Sequence, residues 1–105
     1  MMDIEQKREF LERYLLQQAK INRLYEQSRK NSDKKEYYQK QINSAITLRD
    51  QIENAICKLR DERESEILAQ KYLCGKTLEE TAGLLNYSKR QTERLHIKAL
   101  EHFEI

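Results

Sequence analysis

The chain contains no proline, and its only two glycines are Gly75 and Gly83. These two residue types most often interrupt a helix, so their scarcity lets most of the 105 residues continue in helical conformation. Charged residues make up 36% of the chain, which suits helices with solvated outer faces better than a thick globular core. We therefore predict an all-α protein with a thin apolar core.

No stretch of the chain approaches the roughly 20 apolar residues that a membrane-spanning helix needs. The amino terminus begins with acidic and polar residues instead of the basic and then apolar pattern of a secretory leader. We therefore expect a cytoplasmic protein.

The formal net charge is only +2, but the charge is unevenly distributed. Residues 1–60 hold 13 basic and 9 acidic side chains, whereas residues 61–105 hold 7 basic and 9 acidic ones. The second part nevertheless concentrates four basic side chains, with one acidic side chain among them, on one short segment: Lys89, Arg90, Glu93, Arg94 and Lys98. Basic charge is thus focused on a single predicted helix.

Two long helices are predicted in the first 60 residues. Asp3 with Gln6 forms a capping-box pattern, and an apolar face then continues to about residue 27 through Phe10, Leu11, Tyr14, Leu15, Ile21, Leu24 and Tyr25. The segment from Ser28 to Asp33 has no apolar periodicity and predicts a break. Asp33 with Glu36 predicts a second capping box after it.

The second helix carries apolar residues at alternating spacings of four and three, which is a heptad seam. The seam consists of Tyr38, Ile42, Ala45, Arg49, Ile52, Ile56 and Leu59, with Arg49 as the one interruption. Two such helices joined by a short polar turn predict an antiparallel hairpin over residues 1–60. Because the seam has more apolar length than a thin hairpin needs, we also predict a homodimer through these helices.

Three further capping boxes mark helix starts in residues 61–105: Asp61 with Glu64, Thr77 with Glu80, and Ser88 with Gln91. Gly75 is expected to end the first helix in the left-handed conformation, and Asn86 can adopt the same conformation after the second. The pattern predicts helices over about 61–73 and 78–85 and a third helix that begins at Lys89. The connection at 86–88 has the length typical of a helix-turn-helix.

The apolar pattern gives the last two helices a shared inner face, formed by Leu78, Ala82, Leu85, Thr92, Leu95, Ala99 and Phe103. This leaves an outward face on the last helix, formed by Arg90, Glu93, Arg94 and Ile97. A charged, outward-facing helix that follows a tight turn is typical of proteins that read bases in the major groove.

Residues 61–103 resemble region 4 of the bacterial sigma-70 factors. The resemblance is carried by Glu64, Ile67, Leu68, Tyr72, Gly75, Glu80, Ala82, Leu85, Ser88 and the Lys98-Ala99-Leu100 run. The whole chain is also similar to a family of short proteins from phages and prophages of Gram-positive bacteria, which often read Y-S-x-R-Q at the position of Tyr87 to Gln91. Members of that family are thought to be transcriptional regulators.

The resemblance implies a helix-turn-helix domain over 61–105 and a sequence-specific regulator whose partner is double-stranded DNA. It implies base contacts for Lys89, Arg90, Glu93 and Arg94, and positions near phosphates for Thr77 and Ser88. The complete predicted DNA-binding set is Thr77, Ser88, Lys89, Arg90, Gln91, Glu93, Arg94 and Lys98.

The chain departs from the sigma pattern at two positions. Thr92 stands where Val or Ile is usual, and Asn86 stands where Gly is usual. Both changes suggest slightly looser packing of the last helix. The 105 residues do not include the regions with which a sigma factor melts the promoter, so we do not expect a complete sigma factor.

Other functions find less support. The chain has only two histidines, His96 and His102, and it lacks a Cys-x-x-Cys pair, a Gly-rich phosphate loop and a nucleophile elbow, so we expect no enzyme activity and no cofactor. Cys57 and Cys74 fall at apolar positions of predicted helices, where we expect buried, reduced thiols. Their spacing lies outside that of zinc fingers, so we predict no metal site.

Two alternatives remain open at this stage. The last two helices could be an ordinary helical hairpin within a bundle, with Arg90 and Arg94 on a merely solvated face. The chain could also be a protein-interaction module that docks on RNA polymerase or on a sigma factor without reading bases. The acidic segment from Asp61 to Glu66 favours this second alternative.

Overall fold

The computed structural model describes residues 2–105 and, over that range, consists of helices and turns without a strand. Its five α-helices are α1 (Ile4–Lys30), α2 (Lys35–Cys57), α3 (Glu62–Leu68), α4 (Leu78–Leu85) and α5 (Lys89–His102). A 3-10 turn, Ser32–Lys34, joins α1 to α2, and a π-helical turn, Ala69–Leu73, continues from α3. The all-α prediction is confirmed. No helix within residues 2–105 has the length and apolarity that crossing a membrane requires.

The start of α1 is the one that its sequence predicts. The Asp3 carboxylate accepts a hydrogen bond from the Gln6 backbone at 2.8 Å, and the Gln6 side chain accepts one from the Asp3 backbone at 3.0 Å. These reciprocal bonds satisfy two of the N–H groups that a helix leaves unpaired at its amino terminus.

The break between the first two helices lies in the predicted region, but it begins later and is not formed by the predicted capping residues. α1 continues through Ser28 to Lys30, where Lys30 pairs with Glu26 one turn earlier at 3.6 Å. The predicted capping box of Asp33 and Glu36 is wrong, because Asp33 lies inside the 3-10 turn and α2 begins after Lys34 without a side-chain cap.

α1 and α2 pack along each other in opposite directions. The Tyr14 hydroxyl donates a hydrogen bond to Glu53, and one turn further along α1 the Arg49 guanidinium donates to Gln18 at 3.3 Å. Residue numbers therefore rise along α1 as they fall along α2. The predicted apolar face of α1 is broader than the stripe that is buried, since Leu15 and Tyr25 are each 45% exposed.

The seam of α2 is buried within a single chain. Ile42, Ile52 and Ile56 are all at most 2% exposed, because they pack into clusters that include buried residues of α1. This packing within one chain uses much of the apolar length that our dimer prediction assigned to a second copy. The homodimer through the N-terminal helices stays a prediction.

The main core cluster contains residues from both sides of the boundary predicted at residue 60. It joins α1, α2, the α3 and π-helical region and the carboxyl end of the chain through Leu11, Tyr14, Ile52, Ala55, Ile56, Leu68, Tyr72, Ala99, Leu100 and Phe103. A smaller cluster of Ile21, Leu24, Ile42 and Ala45 lies further along the α1–α2 pair. The C-terminal helices thus pack on one end of that pair in a molecule 53 Å long.

Both cysteines are exposed free thiols, which corrects the prediction that they are buried. Cys57 is the last residue of α2 and follows Ile56, so it points away from the buried stripe. Cys74 follows the π-helical turn directly and precedes Gly75, where the chain leaves the helix.

Candidate nucleic-acid interface

The turn between α4 and α5 has a defined hydrogen-bonding geometry. Asn86 adopts the left-handed conformation with φ of 61°, as its sequence position predicts. The Tyr87 N–H donates to the Ala82 carbonyl at 3.0 Å, and the Asn86 N–H donates to the Gly83 carbonyl at 3.3 Å. This pair of bonds is a Schellman motif, which ends α4 and fixes the direction in which the chain enters α5. Asparagine tolerates this conformation better than most residues other than glycine.

Side-chain caps start both helices at the predicted residues. The Thr77 hydroxyl accepts from the Glu80 backbone, and the Glu80 carboxylate accepts from the Thr77 backbone, both at 3.0 Å. The Ser88 hydroxyl accepts from the Gln91 backbone at 3.1 Å. The Thr77 box is therefore complete, whereas only the Ser88 half of the second box forms among the described residues.

The predicted box of Asp61 and Glu64 is wrong in its second residue. Asp61 does cap α3, but it accepts from the Arg63 backbone at 2.9 Å, and the bond from the Arg63 side chain holds the pKa of Asp61 below its ordinary value. Glu64 is instead 4% exposed, and its carboxylate lies 2.7 Å from Nδ1 of His102. This contact joins the start of α3 to the end of α5.

α4 and α5 each carry a buried threonine whose hydroxyl bonds to the N-cap residue of the same helix. Thr81 and Thr92 are at most 1% exposed, and each hydroxyl donates at 2.9 Å to the carbonyl of the residue four positions earlier, Thr77 and Ser88 respectively. The polar atom of Thr92 is thus satisfied where the sigma pattern usually has Val or Ile.

A buried polar contact that sequence reasoning missed holds α5 against the π-helical turn. Nε2 of His96 lies 2.8 Å from the Tyr72 hydroxyl, and both residues are 4% exposed. Burial, followed by the positive charges of Lys71 and Arg8, lowers the pKa of His96 to about 4. Burial also raises the pKa of Tyr72 to about 12, so both side chains are neutral at pH 7.

The outward face of α5 is solvated as its pattern predicts. Exposed residues on this helix include Lys89, Arg90, Glu93, Arg94, Ile97 and Lys98. Four of the predicted site residues, Ser88, Arg90, Gln91 and Arg94, border one shallow open depression at the start of α5. The buried residues of α5 are Thr92, Leu95, His96, Ala99 and Leu100.

The two helix starts differ in their electrostatics. The first turn of α4 contains Glu79 and Glu80, and the bond from the Thr77 backbone holds the pKa of Glu80 below its ordinary value, so its carboxylate is ionised at neutral pH. The first turn of α5 contains no acidic residue and two basic ones, Lys89 and Arg90. An anion is therefore better accommodated beside Ser88 than beside Thr77.

Comparison of the chain with models of protein families, with curated proteins and with solved structures finds no match. The likeness to sigma region 4 therefore rests on the residues quoted above and stays a prediction. The geometry of the site consists of a fixed turn, two capped helices and a basic outward face.

Proposed function

We propose that the chain is a sequence-specific DNA-binding transcriptional regulator of phage or prophage origin. In this proposal α4, the Asn86 turn and α5 form a helix-turn-helix within residues 61–105, and residues 1–60 form the helical hairpin that supports it. α5 enters the major groove of double-stranded DNA. The observation that carries the proposal is the contrast between the two faces of α5, one fully packed and the other basic and solvated.

The support for base contacts comes from two arginines at the start of α5. Arg90 and Arg94 are four residues apart, so they lie on one face, and both border the depression beside Ser88. A guanidinium can donate two hydrogen bonds to O6 and N7 of guanine, the most common base-specific contact in the major groove. We assign these two residues to base reading, together with Lys89, Gln91 and Glu93 around them.

The helix starts are assigned to the DNA backbone. Ser88 caps α5 without an acidic neighbour in the first turn, which favours a phosphate at that position. Thr77 is the weaker phosphate contact because the ionised carboxylate of Glu80 lies against it. Lys98 lies further along α5 and to the side of the arginines, which favours a phosphate over a base.

A titration of labelled duplex DNA at several salt concentrations tests the proposal. A direct binder releases counterions, so the logarithm of its association constant falls with the logarithm of salt by about 0.9 for each phosphate neutralised. Arg94→Ala should weaken binding, whereas Arg29→Ala, which removes an exposed arginine near the carboxyl end of α1, should not.

The alternative function is docking on RNA polymerase or a sigma factor without base reading. One observation favours it: Leu84 on α4 is 57% exposed, although it is a large apolar residue. Under this alternative, the protein would not bind duplex DNA. If it bound DNA only through its general charge, Arg29→Ala and Arg94→Ala would weaken that binding equally. Either result would refute the proposal that α5 reads bases.

A further inference from the structure

The basic face of α5 ends in an apolar side chain that the core does not use. Ile97 lies seven residues after Arg90 and three after Arg94, so it shares their face of the helix. It is 47% exposed, whereas Leu95, His96 and Ala99 around it are at most 4% exposed. Isoleucine is also a poorer helix former than alanine, so helix propensity does not account for its presence.

The spacing of this face suits contact with several base pairs. Positions 90, 93, 94 and 97 repeat the spacing with which the third helix of a homeodomain reads bases. Seven residues of α-helix rise about 10 Å, which is comparable to the major groove width of about 12 Å. A helix that places Arg90 against base edges can therefore also bring Ile97 to base edges.

The chemistry of Ile97 selects one partner among those edges. In the major groove the four base pairs present hydrogen-bond donors and acceptors, and the C5 methyl group of thymine is the apolar feature among them. An isoleucine gains nothing from the polar edges but removes apolar surface from water when it packs on a methyl group.

We propose that Ile97 determines specificity by packing against the methyl group of a thymine in the DNA site. This inference rests on the proposed function, because it requires α5 to lie in the major groove. It adds a base that the arginines do not specify: the site contains a thymine near the base pairs that Arg90 and Arg94 read.

The test replaces the thymines of a duplex obtained by selection from random DNA with uracil, one at a time. Uracil pairs as thymine does and lacks only the methyl group. One replacement should weaken binding of the wild-type protein by about fourfold, the effect of one buried methyl-sized group. Ile97→Ala should bind the unmodified duplex more weakly by a similar factor and should not respond further to that uracil.

Leu84→Ala is the matched control, because it removes another exposed apolar side chain from the neighbouring helix. This variant should keep the full response to uracil. A wild-type protein that is indifferent to every uracil, or an Ile97→Ala variant that keeps the response, overturns the inference while leaving the DNA-binding proposal standing. Failure to select any sequence overturns the DNA-binding proposal itself. The uracil series on the wild-type protein needs no variant, so indifference to every uracil overturns the inference even if Ile97→Ala folds poorly.

Discussion

The buried pair of His96 and Tyr72 makes the stability of this fold depend on pH. The pKa of His96 falls from its ordinary 6.5 to about 4 in the folded chain. Between these two values the unfolded chain binds a proton that the folded chain does not bind. The free energy of unfolding should therefore decrease as pH falls from about 6.5, and this contribution should level off below about pH 4.

The size of the effect follows from the difference between the two pKa values. Each pH unit in this range is worth about 1.4 kcal/mol, so the loss attributable to His96 reaches about 3 kcal/mol. This is a large fraction of the stability of a small domain, which is about 5–15 kcal/mol. Carboxylates titrate in the same range, so the contribution of His96 must be isolated by substitution.

Urea denaturation of wild type and His96→Gln at half-unit steps from pH 7.5 to pH 4 makes that separation. Glutamine does not titrate, and its amide carries both a donor and an acceptor for a hydrogen bond with the Tyr72 hydroxyl. The difference between the two free energies of unfolding should change by about 3 kcal/mol across the series. The downward slope should persist in His102→Gln, which removes the other histidine together with its contact to Glu64. Parallel curves for wild type and His96→Gln would refute the account of this buried pair.

The two glycines and the two cysteines provide further predictions. Gly75→Ala should lower the free energy of unfolding by about 1 kcal/mol, and with it the melting temperature, because φ is +74° and the new Cβ would lie 3.1 Å from Cδ1 of Leu15. Gly83→Ala, in an open helical position, should stabilise by about 0.5–1 kcal/mol, and a loss at Gly83 or a gain at Gly75 would contradict this assignment of conformations. Replacing both Cys57 and Cys74 with Ser should change stability by less than about 0.5 kcal/mol and leave DNA binding intact, since both thiols are exposed. A loss of binding by the folded double variant would reveal a role for the thiols.

The sequence predicted helix starts and turns well where the determining groups are neighbours along the chain. Thr77 and Ser88 cap their helices through bonds to residues three positions later, and Asn86 ends α4 through its own backbone conformation. Alternation of apolar spacing also identified the buried stripe of α2. These features depend on local chemistry or on helical periodicity, and both can be read from a single sequence.

Features that depend on distant partners were missed or misassigned. Glu64 was predicted to cap a helix but pairs with His102, which is 38 residues away, and His96 meets Tyr72 across 24 residues. Neither partner is specified by spacing along the chain. The seam containing Ile52 packs against α1 within the same chain, and the sequence alone does not show how much of a stripe one partner helix will cover.

The outward residues of the candidate site were predicted from the helical wheel, and their exposure is confirmed. Arg90, Arg94 and Ile97 are all exposed, because the inner face of α5 is fixed by strongly apolar positions such as Leu95 and Ala99. Exposure does not assign a role, however, and base reading by these residues stays a proposal.

Selection of binding sites from a random duplex library tests the central proposal most directly. Wild-type protein should enrich one sequence, and Arg90→Ala and Arg94→Ala should each relax the preference at particular base pairs, at a cost of about 1–3 kcal/mol in discrimination. Lys98→Ala should weaken all sequences alike and reduce the salt slope by about 1. If no sequence is enriched, or if the arginine variants lose affinity equally for selected and random duplexes, then α5 does not read bases.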